Sequence, residues 1–270
     1  VRRVLAYATV AVMLATPAAA DTVARYAYDG TVTDQSIPDK TLVFYGDSVQ
    51  GQAGPVVQAL GEQRAHTVVI HALSGGAPCN AVTGQPLNIP GHMGNTGPTY
   101  VETLNALTAT NGHHPDSVTF AYVGNANTQC MLDELGWASM PGVLTQGQVD
   151  AIVAQYRADL LTMIDYNLGH GIVSWLVGPP RMAAGTWHGQ LNDELEAMYN
   201  DVAAMGGVGI NNGPRNLLSF TQFQTYASLN GQNIRIRYTD GTHLELPYGQ
   251  WMYAMGELMP LIPAVDGSNG

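Results

Sequence analysis

Short apolar runs alternate with longer segments of helical periodicity along this chain, and loops rich in glycine separate them. Thr41-Leu42-Val43-Phe44-Tyr45 is an unbroken apolar run between Lys40 and Gly46, the pattern of a strand covered on both faces. Thr67 to Leu73 is a second strand, rich in β-branched residues. Asp116 to Val123, ended by Gly124, is a third. Gly171 to Val177, stopped by Gly178-Pro179-Pro180, is a fourth, and Val208-Gly209-Ile210 is a short fifth. Helices are predicted over 54–63 and 99–109. Val149, Ile152, Val153, Tyr156, Leu160 and Ile164 recur at helical spacing and predict a helix ending near Gly169. Two more helices are expected over 190–205 and 249–261. Residues 21–39 read as a polar, irregular leading arm, and 74–98 and 124–146 as long loops.

Strands that alternate with helices imply a mostly parallel sheet with helices on both faces. The expected fold class is therefore α/β, a three-layer α/β/α sandwich with a central sheet of about five strands. Right-handed crossovers place the C-terminal ends of these strands along one edge, where ligands bind in such folds. No internal repeat, low-complexity segment or linker interrupts the pattern, so residues 21–270 are expected to form one domain.

The N-terminus changes the picture of where that domain works. Arg2 and Arg3 precede an apolar stretch from Val4 to Leu14, and Ala18 and Ala20 form an A-x-A pattern before Asp21. That is the layout of a secretory signal peptide over residues 1–20, cleaved after Ala20. The apolar stretch is shorter than the ~20 residues a membrane span needs, so stable membrane insertion is not expected. In an exported chain the two cysteines, Cys79 and Cys130, are expected to pair. The net charge of -11 comes without any basic cluster, which argues against nucleic acid as a partner.

Three of the glycine-containing turns fall at predicted strand ends, on the same sheet edge: Gly46-Asp47-Ser48, Ser74-Gly75-Gly76 and Gly124-Asn125-Ala126-Asn127. A serine hydroxyl needs an adjacent base to act as a nucleophile, and histidine suits that role at neutral pH. His243 in Asp240-Gly241-Thr242-His243-Leu244 is the candidate. Asp240, three residues earlier, can accept its imidazole N–H and fix the tautomer. An oxyanion needs donors. The backbone N–H groups of Ser48 and Gly75 and the side-chain amide of Asn125 can supply them. Gly76 and Asn127 stand as alternatives; Gly75 directly follows Ser74, and Asn125 lies closest to its strand end.

On these residues the chain resembles the SGNH hydrolases, also called GDSL-type esterases and lipases. Their four blocks carry Ser, Gly, Asn and His in that order, matched here by Ser48, Gly75, Asn125 and His243. The resemblance runs from about Thr41 to Gly256. The third block departs from the usual Gly-x-Asn-Asp, since Ala126 occupies the third position. No Gly-x-Ser-x-Gly elbow is present, which separates the chain from standard α/β-hydrolases. The resemblance implies an SGNH/flavodoxin-like fold and a secreted serine esterase acting on a small-molecule, lipid or acylated-sugar ester. An O-acyltransferase or a deacetylase of cell-envelope or polysaccharide sugars is the second reading: the same site with a sugar as acyl acceptor in the first case and as acyl donor to water in the second. A non-catalytic binding module of the same fold is the third reading, against which the intact Ser48, Asp240 and His243 argue.

No cofactor is expected, and no metal. His113-His114 lacks zinc-type spacing around it. His92 and His188 lie in loops bordering the active edge and are candidate substrate contacts, as are Arg181 and Trp187 after the fourth strand; Asp47 is expected to order the turn rather than to do chemistry.

Overall fold

The computed structural model describes residues 28–32, 40–63, 66–85, 88–89, 92–93, 97–219 and 222–266. The expected signal peptide lies outside them. In chain order the elements are β1 (Tyr28–Val32), β2 (Thr41–Gly46), α1 (Ser48–Glu62), β3 (Thr67–Ala72), α2 (Pro78–Thr83), β4 (Asn88–Ile89), β5 (His92–Met93), α3 (Tyr100–Asn111) and β6 (Ser117–Ala121). Then follow α4 (Gln129–Leu135), α5 (Gln146–Gly169), β7 (Val173–Val177), α6 (Trp187–Ala204), β8 (Val208–Asn211), α7 (Gly213–Leu218), β9 (Tyr226–Leu229), β10 (Gln232–Arg235) and α8 (Tyr248–Asp266).

The central sheet has the order β1-β3-β2-β6-β7-β8. Five of its strands run parallel, and β1 adds an antiparallel edge against β3, with Tyr28 opposite Ala72 and Val32 opposite Val68. Taking the parallel strands alone, the chain leaves β2 to one side for β3 and then returns to the other side for β6. The order reverses between β2 and β6, and a crevice opens beyond the ends of strands at such a reversal.

Alternation along β2 shows why its residues form an unbroken apolar run. Leu42 and Phe44 face a core layer built with Val49, Ala53 and Val57 of α1 and Tyr253 and Leu258 of α8. Val43 and Tyr45 face the opposite layer, filled by Leu104 of α3, Ile152, Tyr156 and Leu160 of α5, and Leu191, Leu195 and Tyr199 of α6. A strand with both faces covered has no polar side to show.

The five expected parallel strands are all present. The differences lie where local signals are weak. The leading arm contains β1, although Asp29 and Gly30 within it are poor strand formers; it is held by pairing to the edge of β3. The helix expected from residue 54 begins at Ser48, because Asp47 caps it by accepting the Val49 N–H at 2.9 Å. The two long loops carry α2 and α4, and neither sequence segment is long enough to show helical periodicity. The β9–β10 hairpin turns through Asn230 and Gly231, both at positive φ (52° and 77°), as a type I′ two-residue loop requires.

Cys79 in α2 and Cys130 in α4 are joined in a disulfide, with a sequence separation of 51. It ties together the loops that follow β3 and β6. By loop-closure entropy a bridge of this span restricts the unfolded chain by about 4 kcal/mol. Replacing both cysteines by alanine should lower the unfolding free energy by an amount of that order. Urea titration of the oxidised wild type and the double variant measures it; equal midpoints would show the bridge to be energetically idle.

Candidate active site

The site begins at the turn from β2 into α1. Gly46 ends the strand where a side chain cannot fit: an added Cβ would lie 2.6 Å from the Ala121 carbonyl oxygen of β6 and 2.5 Å from the Gln50 Cβ. Asp47 follows, fully buried. Its Oδ1 accepts the Val49 N–H at 2.9 Å and its Oδ2 accepts the Val123 N–H at 2.8 Å. One carboxylate thus ties the start of the serine helix to the end of the neighbouring strand. Ser48 is the first helical residue, so its N–H is among the helix-terminal donors that need no intrahelical partner.

Ser48 Oγ lies 2.9 Å from His243 Nε2, and His243 Nδ1 lies 2.6 Å from Asp240 Oδ2. The second contact leaves Nε2 as the free imidazole acceptor, facing the serine hydroxyl. The other oxygen of Asp240 accepts the backbone N–H groups of Thr242 at 2.9 Å and His243 at 3.0 Å. Burial raises the Asp240 pKa, but the His243 side chain and these two backbone donors outweigh it and hold the carboxyl well below the usual carboxylate range. Asp240 is therefore ionised at neutral pH.

Three contacts outside these three residues set the position of this turn. Gln52 of α1 accepts the Leu244 N–H at 2.9 Å, linking the serine helix to the residue after the histidine. Arg237, fully buried, donates to the Thr242 carbonyl at 2.6 Å. Ala183 donates its N–H to the Gly241 carbonyl at 3.0 Å. None of the three has a motif of its own.

The candidate oxyanion donors separate cleanly. Gly76 donates its N–H to the Leu73 carbonyl at 2.7 Å, closing a turn with Gly75 at φ 75°, where a residue with a side chain is strained. The Gly76 N–H is spent in that turn, whereas the Gly75 N–H has no backbone acceptor among the described residues. Asn127 is exposed, while Asn125 is buried. Asn125 Oδ1 lies 2.8 Å from His188 Nε2. Its amide nitrogen is buried without a hydrogen bond of good geometry, though it is close enough to Asp47 to favour the ionised carboxylate.

Solved structures share this architecture. A G-D-S-L family protein from Desulfitobacterium hafniense DCB-2 aligns with a TM-score of 0.52 at 11% identity, over 83% of this chain and 100% of that one. An SGNH-type protein from Slackia heliotrinireducens aligns at 0.50 and 13%, over 82% and 98%. The fold is that of the SGNH hydrolases. A catalytic mutant of an acetylxylan esterase from Geobacillus stearothermophilus has it too, with a TM-score of 0.50 at 12% identity over 83% of this chain and 94% of that one. No family model and no curated protein matches the sequence.

On this SGNH fold the remaining candidates fall in different places. Arg181 is not a free pocket residue: it pairs with Asp193, and with Glu196 at 2.9 Å. Trp187 packs partly against the core and stacks on His188, with ring centroids 3.7 Å apart. His113 and His114 sit between α3 and β6, at the opposite end of the sheet, where His114 Nδ1 meets Thr108 Oγ1 at 2.9 Å. The side chain of His92 lies outside the described residues.

Burial pushes the Asp47 carboxyl up to about 6, against the lowering effect of its two backbone donors. The folded chain then holds this proton more tightly than an unfolded aspartate, whose pKa is 3.8. Between those values the folded state binds more protons, so rising pH favours unfolding; the contribution is full below about pH 4 and is lost by about pH 6. Asp47→Asn has no proton to release. From pH 4 to 7 the wild type should lose about 2 kcal/mol relative to this variant, as measured by urea unfolding at each pH. Parallel pH profiles would overturn the assignment.

Proposed function

We propose that this chain is an exported serine ester hydrolase of the SGNH type. The observation that carries the reading is the continuous relay from Asp240 through His243 to Ser48, at 2.6 and 2.9 Å, placed at the reversal of strand order. Among the described residues no helix is long and apolar enough to cross a membrane. The signal-peptide pattern and the disulfide support export.

In the reaction, His243 Nε2 takes the Ser48 proton as Oγ attacks the ester carbonyl carbon. The carbonyl oxygen becomes an oxyanion facing the Ser48 and Gly75 N–H groups and the Asn125 amide. Asp240, ionised, stabilises the imidazolium that forms. The intermediate collapses, the carbon–oxygen bond to the alcohol breaks, and His243 returns the proton to the leaving alkoxide. Water then attacks the acyl-enzyme, giving its proton to His243 and releasing the acid and free Ser48. Acyl transfer to a sugar hydroxyl would differ only in the last acceptor.

The wild type should release p-nitrophenol from short-chain esters and be labelled by a fluorophosphonate. Ser48→Ala should lose labelling and at least about 10³-fold in kcat. Asn125→Ala should lose roughly 10²- to 10³-fold in kcat, and Asn127→Ala little. A wild type inert in both assays would sink the esterase reading.

A further inference from the structure

We propose that His188 is the positioning residue of the oxyanion site, holding the Asn125 carboxamide by its oxygen so that its N–H groups are the end presented to the substrate. The inference rests on the esterase reading above and adds a residue to its machinery.

A carboxamide has a donor end and an acceptor end of nearly the same shape. Only the donor end stabilises a developing oxyanion; the carbonyl end repels it. Something must therefore choose between the two orientations. Here Asn125 Oδ1 faces His188 Nε2 at 2.8 Å, which makes the histidine the donor; Nδ2, the donor end, is buried beside Asp47 with no hydrogen bond of good geometry. The backbone carbonyl of Asn125 is held separately, by the Tyr156 hydroxyl. The backbone of the residue and the orientation of its amide thus have different anchors.

His188 is equipped for this. Burial, with the nearby His243 acting in the same direction, pushes its pKa down to about 4, so it is a neutral imidazole at pH 7. A neutral ring that donates from Nε2 carries no proton on Nδ1. The Trp187 ring lies over it at 24° between planes, which limits rotation of the imidazole. Neutrality also matters for the chemistry, because a second cation beside His243 would disfavour the imidazolium formed in the attack.

The placement of His188 is itself tied to the triad. It lies in the first turn of α6, whose cap Thr186 accepts the Gly189 N–H at 3.0 Å through its hydroxyl. The Thr186 N–H donates to the Ala183 carbonyl at 2.9 Å, and the Ala183 N–H to the Gly241 carbonyl at 3.0 Å. The same short segment thus braces the Asp240–His243 turn and orients the Asn125 amide.

The test is a double-mutant cycle read as kcat and KM on p-nitrophenyl acetate, using His188→Phe, Asn125→Ala and the pair. Phenylalanine keeps the ring and its stack on Trp187 but cannot donate. The expected result is a fall in kcat on the order of 10- to 100-fold with KM little changed, less than the loss of the donor itself. In the Asn125→Ala background the same substitution should have no further effect. Nitrogen NMR of the wild-type imidazole at pH 7 should show His188 neutral and protonated on Nε2. An active wild type whose kcat is unaffected by His188→Phe, an equal loss in both backgrounds, or an Nδ1-protonated His188 each overturns the proposal alone. An inert wild type overturns the esterase reading and this one with it.

Discussion

The buried carboxylate of Asp47 is the interaction on which the geometry of the site depends. It sits where the strand order reverses and accepts one N–H from α1 and one from Val123, just beyond β6. Without it, the serine turn and the asparagine turn would be two independent loop ends beyond adjacent strands. With it, the turns that carry Ser48 and Asn125 are joined through a single carboxyl group. Burial makes this carboxylate costly to ionise, as its raised pKa shows. The fold accepts that cost because a carboxylate can receive two N–H donors at once, whereas an amide in its place would turn one N–H against another.

A second set of contacts brings the acid–base turn to the serine from the far end of the chain. Gln52, four residues after Ser48, holds the Leu244 N–H, and Gln250 of α8 donates its side-chain N–H to the Gln52 carbonyl. Arg237 and Ala183 hold the turn from the other side. These groups are buried or nearly so, where a hydrogen bond is stronger and an unmatched polar group more costly than at the surface. The His243–Ser48 distance is thus set by a network, not by the His243 loop alone.

Much of the fold was legible because the parallel strands are covered on both faces, and runs such as Leu42 to Tyr45 or Val68 to Ile70 admit few other readings. The glycine turns after β2, β3 and β6 could be placed on one edge by topology, and with them Ser48, Gly75 and Asn125. The β1 strand was not legible, since Tyr28-Asp29-Gly30-Thr31-Val32 becomes a strand only when the edge of β3 is available to pair with it. The β9–β10 hairpin had a readable signal in Asn230-Gly231 between alternating residues, but it stands apart from the βα pattern that organised the reading.

The sequence by itself determined the α/β layering, the disulfide partners and the candidate site residues, because hydrophobic period, cysteine number and motif order are properties of the chain. The tertiary structure decided which of two neighbours keeps a free N–H and which is buried. Gly75 is left free because Gly76 spends its N–H on Leu73, and Asn125 is turned inward while Asn127 meets solvent. It also brought His188 onto Asn125 across 63 residues of chain. Which backbone donor is already used, and which end of an amide is held, are questions of hydrogen-bond partners, and partners distant in sequence exist only once the chain has folded.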